Sequence, residues 1–192
     1  MKKLWLQLIL LLLVSALYAI LRYVNFGPIP AAQIPLNVGN KVTAVAAAGA
    51  LVLLAYAHYR RQDEAGQYWL KAAGTLVLIH VLISLSILTP GNYKRFFIPE
   101  SGRYNPIGQW FVLMGILATV AWWKWLRPQE LLQPGWGKVL VAALVGVHVT
   151  VMDSAGWFTP EKWFGGMPPI SLWGAIFALA AVGLFWPRRT GP

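Results

Sequence analysis

The stretch that decides the reading is Tyr68-Trp69-Leu70-Lys71-Ala72-Ala73-Gly74-Thr75-Leu76-Val77-Leu78-Ile79-His80-Val81-Leu82-Ile83-Ser84-Leu85-Ser86-Ile87-Leu88, closed by Pro90-Gly91. An apolar run of about 20 residues spans a hydrocarbon core of about 30 Å as a helix. A single histidine stands inside it. An imidazole in lipid is costly unless partnered, so His80 is read first as a functional residue.

Five more runs of this kind surround it. With the first they give helices over about 4–21, 42–58, 68–88, 107–125, 139–152 and 170–186. The composition agrees: 58% of the 192 residues are hydrophobic and 11% charged, against roughly 25% charged in a soluble domain. The expected fold class is all-α, a polytopic membrane protein forming a six-transmembrane-helix bundle. Residues 1–192 form a single transmembrane domain on this reading. The first run also resembles a signal peptide, with Lys2-Lys3, an apolar stretch and Val14-Ser15-Ala16. It is read here as a helix that stays.

The net charge is +10. No basic stripe is long enough to track phosphates, so no nucleic acid is expected as a partner. The cations fall instead at helix ends, where lipid head groups hold them. Lys2, Lys3, Arg60, Arg61, Lys71, Lys124, Arg127, Lys138, Arg188 and Arg189 share one side, with short connections. Arg22, Lys41, Lys94, Arg95, Arg103 and Lys162 share the other. The positive-inside rule then places both termini in the cytoplasm. The implied location is a bacterial-type inner (cytoplasmic) membrane, crossed several times. The tryptophans near helix ends (Trp5, Trp69, Trp110, Trp122, Trp123, Trp125, Trp157, Trp163) match an interfacial belt.

The three longer loops, at 23–40, 90–106 and 157–169, are each rich in aromatic residues, Pro and Gly. Each follows an odd-numbered helix. Three helix–loop–helix hairpins are one reading of this. The chain has no cysteine, which excludes disulfides, iron–sulfur clusters and cysteine-ligated zinc.

His148 is the second intramembrane histidine. His80 lies nine residues after Lys71, and His148 ten after Lys138. Each is thus about 14 Å from the cytoplasmic edge at 1.5 Å per residue. Their helices run in the same direction, so the rings share a depth. Two imidazoles at one depth suit one haem, whose iron takes an axial ligand on each face. The competing reading is hydrogen bonding to a carbonyl or to Ser84 or Ser86. A bare metal or proton relay is less favoured, because no carboxylate or third histidine lies at that depth. His58, beside Arg60 and Arg61, reads as an interfacial, solvated residue.

Asp153 and Arg22 lie near the outer edge and could form an ion pair. Alternatively Arg22, Lys41, Arg95 or Arg103 could bind haem propionates, a quinone head group or lipid phosphate. The run Asn92-Tyr93-Lys94-Arg95-Phe96-Phe97 would either cover a cofactor pocket or dock a partner. No acyl-transfer triad, phosphate loop or carboxylate pair is present.

Helix order and histidine placement resemble the ferric reductase-like transmembrane superfamily. It includes NADPH oxidases, the STEAP metalloreductases and the haem-binding membrane subunit of the bacterial methionine-sulfoxide reductase system. The segment from His80 to Pro90 carries the resemblance most clearly. His148-Val149, the loop to Pro168-Pro169, and Asn40-Lys41 support it. The resemblance implies one haem b with His80 and His148 as the iron's axial ligands, and electron transfer across or within the membrane. Two-haem members carry two histidines on each of these helices; here each has one. No attached flavin or nicotinamide domain is expected on this reading. Electrons would come from quinol or a separate reductase and leave to an extracytoplasmic acceptor, with the chain as the membrane haem subunit of an oxidoreductase. Two other classes stand beside this: a cofactor-free structural anchor of a larger membrane complex, and a small transporter.

Overall fold

Helix α2, Ile34–Tyr59, is the centre of the molecule. Its middle is the run Ala46-Ala47-Ala48-Gly49-Ala50, every residue of which is buried. Small side chains let neighbouring backbones approach closely, which is how helices associate where lipid removes the usual hydrophobic drive. Leu11 of α1 (Lys2–Ile20) rests so close to Gly49 that a Cβ there would lie 2.8 Å from its Cδ1. Around α2 stand α1, α3 (Asp63–Ile87) and α6 (Ile170–Phe185). Leu51, Leu54, Trp69, Ala73, Ala181 and Phe185 make the core between them. Helix α4, Pro106–Trp125, packs on α5, Trp136–Trp157, and α5 packs on α6.

These facts come from a computed structural model, which describes residues 2–27, 29, 33–126 and 136–187. All six helices are long and apolar enough to cross a membrane. Among the described residues there is no strand, only an isolated bridge between Phe97 and Tyr104. Helix α1 turns its apolar side chains outward, with Leu13 and Leu17 each 60% exposed. Such a surface suits lipid contact. Arg127, Arg188 and Arg189 lie outside the described residues.

Several boundaries differ from the sequence reading, each for a local reason. Helix α2 starts eight residues earlier, because Pro35 sits in its first turn, where its missing N–H costs nothing. Helix α3 starts at Asp63, whose charge, with that of Glu64, complements the helix N-terminus. Helix α5 continues past Met152 through a kink at Asp153 (φ −161°, ψ 35°). Helix α1 ends in a π-helical turn, Leu21–Asn25.

The hairpin reading holds for only part of the chain. Helices α1 and α2 pack together, as do α5 and α6. Helices α3 and α4 do not form a comparable contact, although a single loop joins them. A cleft of about 620 Å³ opens between them, lined by Leu70, Gly74, Val77 and Val81 of α3 and by Thr119 and Trp122 of α4.

The aromatic belt also divides. Trp5, Trp110 and Trp123 are well exposed, as interfacial anchors should be. Trp69 is 2% exposed and belongs to the core. Trp157 donates to Ser171 Oγ at 2.9 Å and Trp163 to the Gly156 carbonyl at 2.9 Å. Trp157 thereby ties the end of α5 to the start of α6, and Trp163 stitches the loop 158–169 to α5. Lys138, grouped above with the interfacial cations, is buried at 3% exposure. His58 is half-buried against Phe185 of α6, at 5.6 Å between ring centres, so it does not stand in open solvent as expected.

Candidate functional site

Both intramembrane histidines lie in the half of the bundle nearer the long loops. Seven residues separate His80 from Ile87 at the end of α3, and nine separate His148 from Trp157, about 10 and 14 Å of helix. Because α3 begins before Lys71, His80 is farther from the short-loop end than the sequence suggested. The two rings are nevertheless within electrostatic reach of each other.

His80 lies on the α3 face that packs against α2. Its Nδ1 stands 3.3 Å from the backbone oxygen of Asn40. A carbonyl only accepts, so Nδ1 carries the proton and donates. Nε2 is then the ring atom with a lone pair. Ser84, one turn on, has its Oγ 3.5 Å from that Nε2, but donates to Asn40 Oδ1 at 2.9 Å. Asn40 is 4% exposed, and its amide nitrogen reaches the Tyr93 hydroxyl at 3.4 Å. One buried asparagine therefore joins α2, α3 and the 90–105 loop.

His148 is held by different means to the same result. Its Nδ1 lies 3.1 Å from the backbone oxygen of Phe111 on α4, which again makes Nδ1 the donor and Nε2 the free lone pair. The ring stacks on Phe111 at 4.5 Å and 24°. Gly115, one turn along α4, makes the approach possible. A Cβ there would lie 3.1 Å from His148 Cε1 and 3.3 Å from Nδ1. The stack continues from Phe111 to Phe96 (4.6 Å, 15°) and from Phe96 to Tyr93 (5.9 Å, 11°). Gly108 admits this loop to the start of α4, since a Cβ would meet the Phe96 oxygen at 2.3 Å.

The two histidines are thus tied together: His80 to Asn40, Asn40 to Tyr93, Tyr93 through Phe96 and Phe111 to His148. The run 92–97 is folded inward, with Phe96 fully buried. Phe96 and Phe97 cover this end of the bundle, while Asn92, Lys94 and Arg95 stay exposed on its surface.

The outer cations separate in role. Arg95 bonds Asp153 Oδ1 at 2.9 Å and the Val151 oxygen at 3.3 Å. Asp153 thus pairs with Arg95 and not with Arg22. Arg22 is buried between the rings of Tyr23 and Phe164. Lys41 sits over Tyr23 and Tyr93. Ser86 bonds the Ile83 oxygen.

Two histidines with protonated Nδ1 and free Nε2 are suited to a metal that brings its remaining ligands with it. No group of three or more His, Cys, Asp or Glu suited to a bare ion exists among the described residues. A porphyrin supplies four nitrogens of its own, so the donor chemistry of the two imidazoles suits a haem; the cleft between α3 and α4 is lined by neither histidine.

Sequence reading named His80 and His148 but missed Phe111, Gly115 and the structural role of Asn40. Asn40 had a visible signal, as an amide within an apolar helix. Phe111 and Gly115 act through a backbone oxygen and an absent Cβ, which no residue-type pattern reveals. Compared with known proteins, the chain matches no protein-family model, no curated protein and no solved structure. The ferric reductase-like resemblance therefore rests on the residues quoted for it.

Proposed function

We propose that this chain is a membrane electron-transfer protein that holds one b-type haem through His80 and His148. The single observation that carries the reading is the matched cradle: each intramembrane imidazole gives its Nδ1–H to a backbone carbonyl of a neighbouring helix. Metal-ligating histidines are commonly fixed in this way, which sets the tautomer and raises the basicity of the ligating nitrogen. Fixing a lone histidine needs no such symmetry.

When bound, a haem would supply one-electron Fe(III)/Fe(II) cycling. His80 and His148 would keep their Nδ1 protons on the Asn40 and Phe111 carbonyls throughout, so neither needs to gain or lose a proton. The apolar walls limit water at the site, and so favour the less charged oxidation state. Tyr93, Phe96 and Phe111 cover the long-loop end.

The donor is proposed to be quinol or a cytoplasmic reductase, and the acceptor extracytoplasmic, with both termini in the cytoplasm by the charge bias. This arrangement is that of a membrane haem subunit in an inner-membrane oxidoreductase. The ferric reductase-like resemblance supports it.

The test is a dithionite-reduced minus oxidised visible spectrum of protein expressed with ample haem, beside His80→Ala and His148→Ala. A b-type Soret and α-band, lost in either variant, is the expected result. A flat spectrum would overturn it and leave a cofactor-free membrane anchor as the better reading.

A further inference from the structure

Arg22 is the residue that the fold least accounts for. It occupies the π-helical turn Leu21–Asn25 where α1 reaches the long-loop end. It is 4% exposed, yet its Nε and Nη1 have no hydrogen-bond partner. Its guanidinium carbon lies 5.3 Å from the ring centre of Tyr23 and 5.2 Å from that of Phe164. Lys41 stands on the same tyrosine, its Nζ 5.6 Å from the Tyr23 ring and 5.5 Å from the Tyr93 ring. Two cations therefore share one aromatic ring.

Carboxylates are distributed the other way. Among the described residues, the ion pair at this end joins Asp153 to Arg95, whose side chain is 46% exposed. The solvated arginine has a carboxylate and the buried one has none. Aromatic faces return only part of the desolvation cost of a buried guanidinium. Donors that are buried and unpaired are the mark of a missing acceptor. The missing partner must accept several hydrogen bonds and carry negative charge, which is the chemistry of an oxyanion.

We propose that Arg22 and Lys41 form a binding site for one oxyanion, a phosphate or a carboxylate, carried by a ligand at the long-loop end. Two of its candidate anion sources stand apart from the haem reading, and the third rests on it. Three sources share this chemistry: the head group of an acidic phospholipid, a free small anion, and a carboxylate borne by whatever group the two histidines hold.

The experiment uses the full chain in nanodiscs of phosphatidylcholine, of phosphatidylcholine with phosphatidylglycerol, and of phosphatidylcholine with added inorganic phosphate. The thermal midpoint is followed by tryptophan fluorescence. Wild type, Arg22→Gln and Lys41→Gln are compared, each also combined with His148→Ala. An anion is expected to raise the midpoint by several degrees in the Arg22-containing chain. The shift should vanish in Arg22→Gln and shrink in Lys41→Gln. A response to phosphatidylglycerol alone identifies a lipid head group. A response to inorganic phosphate as well identifies a free anion. A response that appears only with His148→Ala means that the site is already filled in wild type by the histidine-bound group. Should Arg22→Gln fail to fold, the half-buried Lys41 carries the test through Lys41→Gln. No shift in any background, or an undiminished shift in the Arg22 and Lys41 variants, overturns the proposal. The haem reading fails on a flat spectrum and this one on a flat midpoint, so the two failures are distinct.

Discussion

The two histidine cradles reach one chemical result by opposite means. His80 sits in a polar cradle: a carbonyl, an asparagine amide and a serine, all within two turns of α2 and α3. His148 sits in an aromatic one: a carbonyl, a stacked phenylalanine and a glycine gap. Hydrogen bonds fix direction but are individually weak in a membrane protein, about 0.6 kcal/mol on average. Stacking and steric fit fix position and tolerate little change of volume. The His80 side should therefore degrade by steps, and the His148 side abruptly.

The sharpest break of this comparison is removal of either ligand. His80→Ala and His148→Ala should each abolish the reduced-minus-oxidised spectrum, despite their unequal cradles. Unequal residual spectra in the two variants would mean that one histidine does not ligate.

Next in size is Gly115→Val. The added methyl groups fall where a Cβ alone is already 3.1 Å from the imidazole. The ring must leave the Phe111 carbonyl, and haem content should fall by most of its value with the protein still folded. Overpacking of this kind costs typically about 1–3 kcal/mol. Haem content near wild type would show that His148 does not need this position.

Asn40→Ala is expected to be milder. It deletes the amide that joins Ser84 and Tyr93 but keeps the backbone oxygen that receives the His80 proton. The cost is about 1–3 kcal/mol for the unpaired groups left behind, read as a lower thermal midpoint. The haem should be retained with a shifted potential. Loss of haem would mean that the side chain, and not the carbonyl, holds His80.

Phe111→Leu should be smaller again, since the carbonyl stays and about 0.5–1.5 kcal/mol of ring–ring contact is lost. Ser84→Ala completes the series with about 0.6 kcal/mol, one interhelical hydrogen bond. Among the three truncations the order of midpoints, Asn40→Ala lowest and Ser84→Ala highest, checks the comparison in one thermal-shift experiment.

The wider fold repeats the contrast between its two ends. At the short-loop end, aromatic contacts such as Trp136 with Trp186 close the bundle, with Lys124 over Trp125 and Lys138 buried beside them. At the long-loop end, cations lie on aromatic rings and buried polar groups bridge helices. Long loops bring the polar atoms, and their indoles and carbonyls satisfy one another as Trp163 and Gly156 do.

Much of this was legible from residues alone. Six apolar runs of membrane-spanning length follow from composition and spacing, because the hydrocarbon thickness sets helix length whatever the neighbours are. The two histidines stood out because imidazole is rare and expensive among Leu, Val and Ile. Helix packing was not legible. Whether α3 leans on α2 or on α4 depends on which faces interlock, and the small residues of α2 decide it by admitting α3 and α6 closely. Nor could the sequence tell Arg22 from Arg95, since both are arginines near a helix end and only the fold buries one and hands the other to Asp153. The sequence by itself determined a six-helix membrane chain with two intramembrane imidazoles. Only the tertiary structure decided which ring nitrogen of each remains free, because that is set by a carbonyl on another helix.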